Sequence, residues 1–261
     1  MLRSGMSRKE VELIGKSHAS HLGVARILGT FDLYCDSKEQ SLGFWLSSTG
    51  FWESWITVWI LDNIREGDTC LDVGSNYGYF SRIMQIMAGD KGKVYAVEAN
   101  PSLAKLLARS NQDFEIQGSA PLDILEFAAW NKSENLKLAI DVNFLGGSSV
   151  FNGDVVSESE PNQLVVPGVP LDSIIHDEIT FLKMDIEGAE PNAWEGMQNI
   201  TKSLRVGIVE INQGVSQDFI SELEDNFDLS LVDYTGGEEK FSREVLSKDP
   251  NPRMLVIRRR G

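Results

Sequence analysis

The chain has 261 residues, which is enough for one large domain or two small ones. Hydrophobic residues make up 42% of it and charged residues 24%, as in globular proteins that bury a core. With 39 acidic and 24 basic residues, the net charge is -15. This balance argues against a nucleic-acid partner, because phosphate binding relies on clustered lysine and arginine.

The two cysteines, Cys35 and Cys70, are too few for a disulfide framework. The start of the chain is charged and lacks the apolar core of a signal peptide. The longest apolar stretch, residues 55–61, is too short to span a bilayer. We therefore expect a cytoplasmic protein without a membrane partner.

In chain order, the pattern predicts an N-terminal helical extension over residues 1–50, followed by one domain over residues 51–261. Apolar residues at helical spacing predict a Trp-rich helix over residues 51–64. Short apolar runs then alternate with helical patterns. We expect strands at 69–73, 93–98, 125–130, 181–185, 206–211, 229–232 and 254–257, with helices at 79–87, 101–110, 191–204 and 219–226.

This alternation predicts an α/β fold with a doubly wound, mostly parallel sheet. The stretch from residue 135 to residue 168 is rich in Gly, Ser, Asn and acids and differs from the rest. It predicts a hairpin and loop laid over the sheet instead of a crossover helix.

The turn after the first strand of this domain carries the clearest ligand signal. Asp72 ends the strand, and Gly74 and Gly78 bracket a turn that exposes backbone N–H groups at the start of a helix. A dinucleotide fingerprint needs a glycine where Asn76 stands, and Asp72 would repel a pyrophosphate. A phosphate-free, cationic ligand such as S-adenosylmethionine fits the turn better. Glu98, which ends the second strand, is suited to accept the two ribose hydroxyls.

Several blocks of the sequence occur in an order that resembles the FkbM family of S-adenosylmethionine-dependent methyltransferases. The resemblance covers roughly residues 50–215 and is most specific in the block K-M-D-I-E-G-A-E at 183–190. The other blocks are D-V-G-S-N-Y-G-Y-F at 72–80, E-A-N-P at 98–101, A-A-W-N at 128–131, G-G-S-S at 146–149 and L-D-S-I at 171–174.

The resemblance implies a class I methyltransferase (Rossmann-like) fold and, usually, O-methylation of a small molecule, natural product or glycan. It implies that the loop 72–78 binds the cofactor, which adds Ser75, Asn76 and Gly78 to the residues named above. Ala128 and Ala129 would border the adenine. Similar sequences often have Glu at the place of Glu53, which would help bind the methionine end; a surface position for it is an equal alternative.

Acids at the ends of the fourth and fifth strands form a second candidate group. Asp185 and Glu210 should be neighbours, because the carboxyl ends of parallel strands meet at one edge of the sheet. One carboxylate, Asp185 foremost, would act as general base toward an acceptor hydroxyl. Alternatively, Asp185, Glu210 and Asn212 would hold Mg²⁺, which lowers the pKa of the hydroxyl and orients it. Lys183 lies two residues before Asp185 in the same predicted strand. It is expected to pair with an acid or a substrate group in catalysis.

Three other functions fit parts of the pattern. An N-methyltransferase would use the strand-end acids to orient an amine. A binding protein could keep the cofactor fold without catalysis. A dehydrogenase is disfavoured by the missing glycine and the lack of room for a pyrophosphate. Residues 1–50 match no known pattern, and together with the Trp-rich helix they leave a homo-oligomer open.

Overall fold

The structure is a computed structural model that describes residues 22–140, 148–151, 163–211, 215–248 and 251–260. No helix in these ranges combines the length and the apolar character needed to cross a bilayer.

The N-terminal part of the described chain is a hairpin followed by two helices. Strands β1 (Leu22–Ile27) and β2 (Phe31–Asp36) pair in antiparallel, and helices α1 (Leu42–Thr49) and α2 (Ser54–Asn63) follow. The predicted helical extension over residues 1–50 is therefore wrong for residues 22–36, which form the hairpin, and agrees with the structure at α1. Buried and exposed side chains alternate along β1, which is the period of a strand, and the connection turns through positive φ at Leu28 and Gly29.

The central sheet contains the strands that the alternating pattern predicts, with shifted bounds, and one short strand at 238–240 that the pattern did not predict. They are β3 (Thr69–Val73), β4 (Lys93–Glu98), β5 (Leu122–Glu126), β10 (Phe181–Met184), β11 (Val206–Ile211), β12 (Phe227–Val232), β13 (Glu238–Lys240) and β14 (Arg253–Arg259). The helices around it are α3 (Tyr79–Ala88), α4 (Pro101–Asp113), α5 (Glu190–Glu195), α6 (Gln217–Asn226) and α7 (Arg243–Lys248).

The strand order of this sheet is β13-β12-β14-β11-β10-β3-β4-β5. The chain moves outward from β3 through β4 to β5, then returns to place β10 beside β3 and moves outward the other way. Strand β14 lies antiparallel between β11 and β12. The order therefore reverses between β3 and β10, which is where open α/β sheets bind their ligands.

Buried residues cover both faces of the central sheet. Cys70 of β3 and Phe181 of β10 pack with α2 and α3 on one face, while their neighbours Leu71 and Leu182 pack with α5 and α6 on the other. Successive residues of a strand point to opposite faces, so both faces must be apolar when helices cover both. This confirms the doubly wound α/β fold.

A second, four-stranded sheet lies beside the carboxyl ends of the central strands. Its strands are β6 (Ala128–Ala129), β7 (Glu134–Ala139), β8 (Ser149–Phe151) and β9 (Gln163–Val169), in the order β6-β9-β7-β8. It corresponds to the predicted hairpin and loop. The single strand expected over 125–130 is wrong, because the chain turns at Phe127 and its two halves enter different sheets.

Candidate active site

A cavity of about 360 Å³ opens at the carboxyl ends of β3 and β10, where the strand order reverses. Ligand pockets commonly have volumes of roughly 300–1,000 Å³. It is lined by the start of α1 with residues 52–53, the loop 74–76 with the start of α3, the end of β4, the second sheet, and the ends of β10 and β11. The cavity therefore lies where the fold predicts a ligand.

The loop after β3 approaches the cavity through its backbone. The N–H groups of Gly74 and Ser75 donate to the carbonyl of Val97 at 2.9 and 3.0 Å. Gly74 has φ +83°, and a Cβ added to it would lie 2.0 Å from the carbonyl oxygen of Asp185. Asn76 also has a positive φ, and its side chain accepts from the N–H of Tyr77. The loop thus needs glycine at 74, both for its backbone conformation and for its contact with β10.

Glu98 closes β4 directly beneath this loop. Its two carboxylate oxygens accept from the backbone N–H of Asn76 at 2.7 Å and of Asn100 at 2.8 Å. Burial raises the pKa of Glu98 to about 7, although these two N–H donors lower it. Glu98 lines the cavity and fixes both the loop and the start of α4, so its carboxylate is held in one orientation.

Asp72 lies behind the cavity, where its side chain is fully buried. The hydroxyl of Ser81 donates to one oxygen at 2.5 Å, and the other oxygen lies 3.6 Å from Lys183 Nζ. Burial raises the pKa of Asp72, while Lys183 and Ser81 lower it. Asp72 therefore lies beneath the loop and does not line the cavity itself.

Lys183 joins the two halves of the site. Its ammonium lies 3.4 Å from Asp185 Oδ2, 3.3 Å from the carbonyl oxygen of Gly74 and 5.4 Å from the centre of the Phe80 ring. Burial lowers the pKa of Lys183, but Asp185, Asp72 and Glu53 outweigh it and raise the pKa above its ordinary value. A charged lysine is therefore held between the loop 74–76 and the strand-end acids.

The strand-end acids meet at the top of the sheet, as predicted for Asp185 and Glu210. Asp185, Glu187 and Glu210 each offer a carboxylate oxygen within 4.8 Å of the others. Burial and the charge of Asp185 raise the pKa of Glu187 to about 7, and burial with the charges of Asp185, Glu187 and Glu190 raises that of Glu210 to about 9. Asn212, the third predicted metal ligand, lies outside the described residues.

Glu53 precedes α2 and lines the cavity near Lys183 and Asp185. It has φ +37°, an unusual value for a residue with a side chain. Burial and the charge of Asp185 raise the pKa of Glu53 to about 7. The structure therefore places Glu53 at the site and not on the surface.

The sequence profile described as the methyltransferase FkbM domain matches residues 72–235, which is more than half of the chain. The chain belongs to the FkbM methyltransferase family. The match confirms the resemblance carried by the sequence blocks. The matched region is thus a methyltransferase FkbM domain.

Curated proteins that are similar to this chain match it over only part of their own length. The hexuronic acid methyltransferase AglP of Haloferax volcanii is 25% identical over 168 residues, which are 63% of this chain and 64% of AglP. A protein-L-isoaspartate O-methyltransferase of Methanococcoides burtonii is 50% identical over 48 residues, which are 18% of this chain and 23% of that enzyme. The chain thus spans less than two thirds of each of these relatives.

Solved structures are similar at low sequence identity. The methyltransferase FkbM of Methylobacillus flagellatus KT has a TM-score of 0.44 and 16% identity, over 73% of this chain and 43% of that one. The precorrin-6y C5,15-methyltransferase of Geobacter metallireducens GS-15 has a TM-score of 0.43 and 11% identity, over 78% of this chain and 87% of that one.

Most of the predicted site residues of this FkbM domain line one cavity. Those residues are Glu53, Gly74, Ser75, Asn76, Glu98, Ala128, Ala129, Lys183, Asp185 and Glu210. Two others do not line it. Asp72 is buried beneath the loop, and Gly78 packs at the start of α3, where an added Cβ would lie 2.1 Å from Leu107 Cδ1.

Sequence reasoning missed several cavity residues that come from outside the central sheet. Ser41 and Leu42 enter from α1, and Leu138, Ser148 and Val150 enter from the second sheet. Long-range packing brings these residues to the site, so the sequence around most of them gives no sign of their role. The sequence block G-G-S-S at 146–149 is the signal that could have found Ser148.

Proposed function

We propose that this chain transfers a methyl group from S-adenosylmethionine to a hydroxyl of a small molecule, natural product or glycan. The observation that carries this proposal is that one cavity is lined both by the loop 74–76 with Glu98 and by the strand-end acids Asp185 and Glu210. A donor and an acceptor bound in one cavity can meet in line, which is the main requirement of methyl transfer.

The residues fit the cofactor. Glu98 offers ribose hydroxyls a fixed carboxylate, and Ala128 and Ala129 are small, apolar neighbours for an adenine ring. Glu53 and the loop 74–76 lie on the side toward Lys183, where the methionine end would bind. The bound cofactor supplies an electrophilic methyl group on its sulfonium, and acids around the cavity favour such a cation.

Asp185 is our candidate for the group that takes the acceptor proton. Its Oδ2 lies 3.4 Å from the Lys183 ammonium, which holds the side chain in place at the end of β10. Because Lys183 also contacts the carbonyl of Gly74, the base is held at a fixed distance from the cofactor loop. We therefore assign Lys183 the role of positioning Asp185.

A divalent cation is a second way to activate the hydroxyl at the same place. Asp185, Glu187 and Glu210 provide three oxygen donors within 4.8 Å of one another, which suits a hard cation such as Mg²⁺. A cation there would lower the pKa of a bound hydroxyl and orient it. Glu187 takes a place in this set that the sequence prediction gave to Asn212.

Cofactor binding is tested first, by calorimetric titration with S-adenosylhomocysteine. We expect binding, with a loss of at least about tenfold in affinity for Glu98→Ala, because a fixed charge-assisted acceptor is removed. Glu178→Ala, at an exposed acid outside the cavity, is the matched control and should bind normally. Absence of binding by the unaltered protein at high micromolar ligand would overturn the proposal.

Methyl transfer is tested next with a panel of alcohols and amines, scored by product mass. Asp185→Asn should keep its affinity for S-adenosylhomocysteine and lose roughly 10²–10⁴-fold in rate, the usual worth of a general base. Methylated amines without methylated alcohols would favour an N-methyltransferase instead. Cofactor binding without any methylated product would favour a binding protein that has kept the fold.

The cation is tested by the same assay after treatment with a chelator. If Mg²⁺ restores the rate of the unaltered enzyme but not that of Glu187→Gln, a bound cation activates the hydroxyl. An unchanged rate in the chelated enzyme would leave Asp185 to act alone.

A further inference from the structure

Three large aromatic side chains are exposed within one short segment beside the cavity. Phe44 is 50% exposed, Trp45 47% and Phe51 46%. Single exposed apolar side chains are ordinary on a protein surface, but a cluster of rings next to a pocket is typical of a binding surface. Residues on both sides of the cluster, Leu42 and Trp52, line the cavity.

The geometry of α1 places Trp45 at the mouth of the cavity. Ser41 lines the cavity, and the N–H of Trp45 donates to its carbonyl at 3.2 Å, so Trp45 lies one turn above it. At about 100° per residue, Trp45 lies roughly 40° around the helix from Ser41 and roughly 60° from Leu42. Side chains in a helix lean toward its N-terminus, so the Trp45 ring covers the turn that borders the cavity.

Both ends of α1 are fixed, which holds the rings in place. At its start, the N–H groups of Ser41 and Gly43 donate to the Glu39 carboxylate at 2.8 and 2.6 Å. At its end, Gly50 has φ +75°, and its carbonyl accepts from the N–H of Leu28 at 2.9 Å. A surface that is ordered before binding costs less to use, so these contacts favour a role in recognition.

The Phe44 and Trp45 rings themselves meet edge to face, with centres 6.1 Å apart and planes at 77°. This pair presents an angled apolar wall, while the cavity beside it presents the Asp185, Glu187 and Glu210 carboxylates. A ligand that satisfies both needs apolar C–H faces and hydroxyl groups that donate hydrogen bonds. A pyranose ring has both on opposite sides.

We infer that Trp45 and Phe44 form an acceptor subsite that stacks on a sugar ring, so that the acceptor is a saccharide or glycoside. This inference rests on the proposed function, because it names the acceptor of the same cavity. The sugar that stacks on Trp45 lies outside the cavity, and its neighbour in the chain, or its own far edge, reaches Asp185. Trp45 and Phe44 thereby set specificity and take no part in the chemistry.

The test uses the full chain saturated with S-adenosylhomocysteine and a panel of methyl pyranosides and maltotriose, observed by saturation-transfer NMR and by tryptophan fluorescence. We expect at least one saccharide to bind. Trp45→Ala should weaken it by about tenfold, the upper range for the loss of one aromatic contact. Trp45→Phe, which keeps a ring, should stay within about threefold.

Ile174→Ala is the matched control, since Ile174 is also exposed but precedes β10 at the opposite end of the sheet. It should leave saccharide binding unchanged, and every variant should bind S-adenosylhomocysteine normally. If no saccharide binds at about 10 mM, or if Trp45→Ala and Phe44→Ala bind as the unaltered chain does, the inference is wrong. Failure to bind S-adenosylhomocysteine would be a failure of the proposed function, and the two outcomes are thus distinct.

Discussion

Gly74 shows how one residue without a side chain fixes the geometry of the whole site. It has φ +83°, and its α-carbon passes so close to β10 that a Cβ would lie 2.0 Å from the Asp185 carbonyl oxygen. A left-handed backbone conformation costs an ordinary residue about 1–2 kcal/mol, and a clash with backbone adds to this. The cofactor loop and the candidate base therefore touch only because residue 74 is glycine.

Gly74→Ala should be destabilised by more than about 3 kcal/mol and should lose S-adenosylhomocysteine binding. Gly67→Ala is a matched control, because Gly67 has φ +86° and nothing lies within 4 Å of its added Cβ. Gly67→Ala should be destabilised only by the cost of the left-handed backbone conformation, and it should keep its affinity for S-adenosylhomocysteine. Urea unfolding and calorimetric titration measure both effects, and equal losses in the two variants would contradict the role of the contact.

Glu98 connects the pH dependence of stability with the site. Its pKa is raised from the ordinary 4.5 to about 7, so the folded protein binds this proton more tightly than the unfolded chain does. The resulting stability is full at low pH and is lost as the pH rises toward 7. Between pH 5.5 and 7 this amounts to about 2 kcal/mol, at 1.36 kcal/mol per pH unit.

Glu98→Gln should remove this contribution, because glutamine does not titrate. From pH 5.5 to pH 8, the unaltered chain should therefore lose about 2 kcal/mol of unfolding free energy relative to the variant. Urea titrations at several pH values in this range avoid the isoelectric point near 4.6. A difference that stays constant with pH would mean that the Glu98 pKa is not raised.

The acids of the site illustrate what sequence can reveal at this scale. Asp185 and Glu210 each end an apolar run, so their convergence follows from parallel strands alone. The burial of Asp72 beneath the loop did not follow, because the sequence alone does not reveal that the neighbouring strand brings a lysine against it. Here Asp72 lies directly across from Lys183 in the β3–β10 register, and the two charges are buried together.

At the scale of elements, the parallel strands were the most predictable, because a buried strand is a short apolar run with turns on both sides. The predicted bounds of β3 and β4 match the structure. Helix 191–204 was predicted as continuous, yet it ends at Glu195 and a short 3₁₀ turn follows at Ile200–Ser203. Gly196 explains the break, since its backbone passes the Trp130 carbonyl too closely for any side chain.

The last strand, predicted over 254–257, is longer in the structure. Arg258 and Arg259 lie beyond the predicted end and also belong to β14, which lies between β12 and β11. Arg258 pairs with Glu238 and with Asn63, and Arg259 donates to the carbonyls of Thr201 and Leu204. These partners are distant in sequence, so only the folded chain reveals them.

The junction of β3 and β10 depends on the pair Lys183 and Asp72. Lys183→Met should destabilise the fold by about 3–5 kcal/mol, because it leaves a buried carboxylate without its counter-charge. Adding Asp72→Asn should restore part of the loss, so that the double variant is more stable than the sum of the single losses indicates. Lys91→Met, at an exposed ion pair with Glu66, is the control and should change little. Additive losses, measured by urea unfolding, would contradict the coupling of the two strands through this pair.

At the scale of the molecule, net charge is the property that can be counted directly from the sequence. The net charge of -15 and the acids around the cavity produce a negative potential that attracts a cation. The cofactor carries a sulfonium, whereas S-adenosylhomocysteine has a neutral thioether in the same place. The long-range part of this attraction is weakened by salt, since the screening length falls to about 8 Å at physiological ionic strength.

The ratio of the affinities for S-adenosylmethionine and S-adenosylhomocysteine should therefore depend on salt. Raising the salt from about 0.02 M to about 0.3 M should lower the preference for the cation by about two- to fivefold, because distant acids are screened while Asp185 and Glu53 inside the cavity are not. Calorimetric titration of both ligands at each salt concentration gives the ratio, and S-adenosylhomocysteine serves as the internal control for effects on the shared adenosine and amino-acid groups. A ratio that rises or stays constant would mean that the cavity acids alone select the cation, and that the charge of the rest of the molecule serves only its solubility.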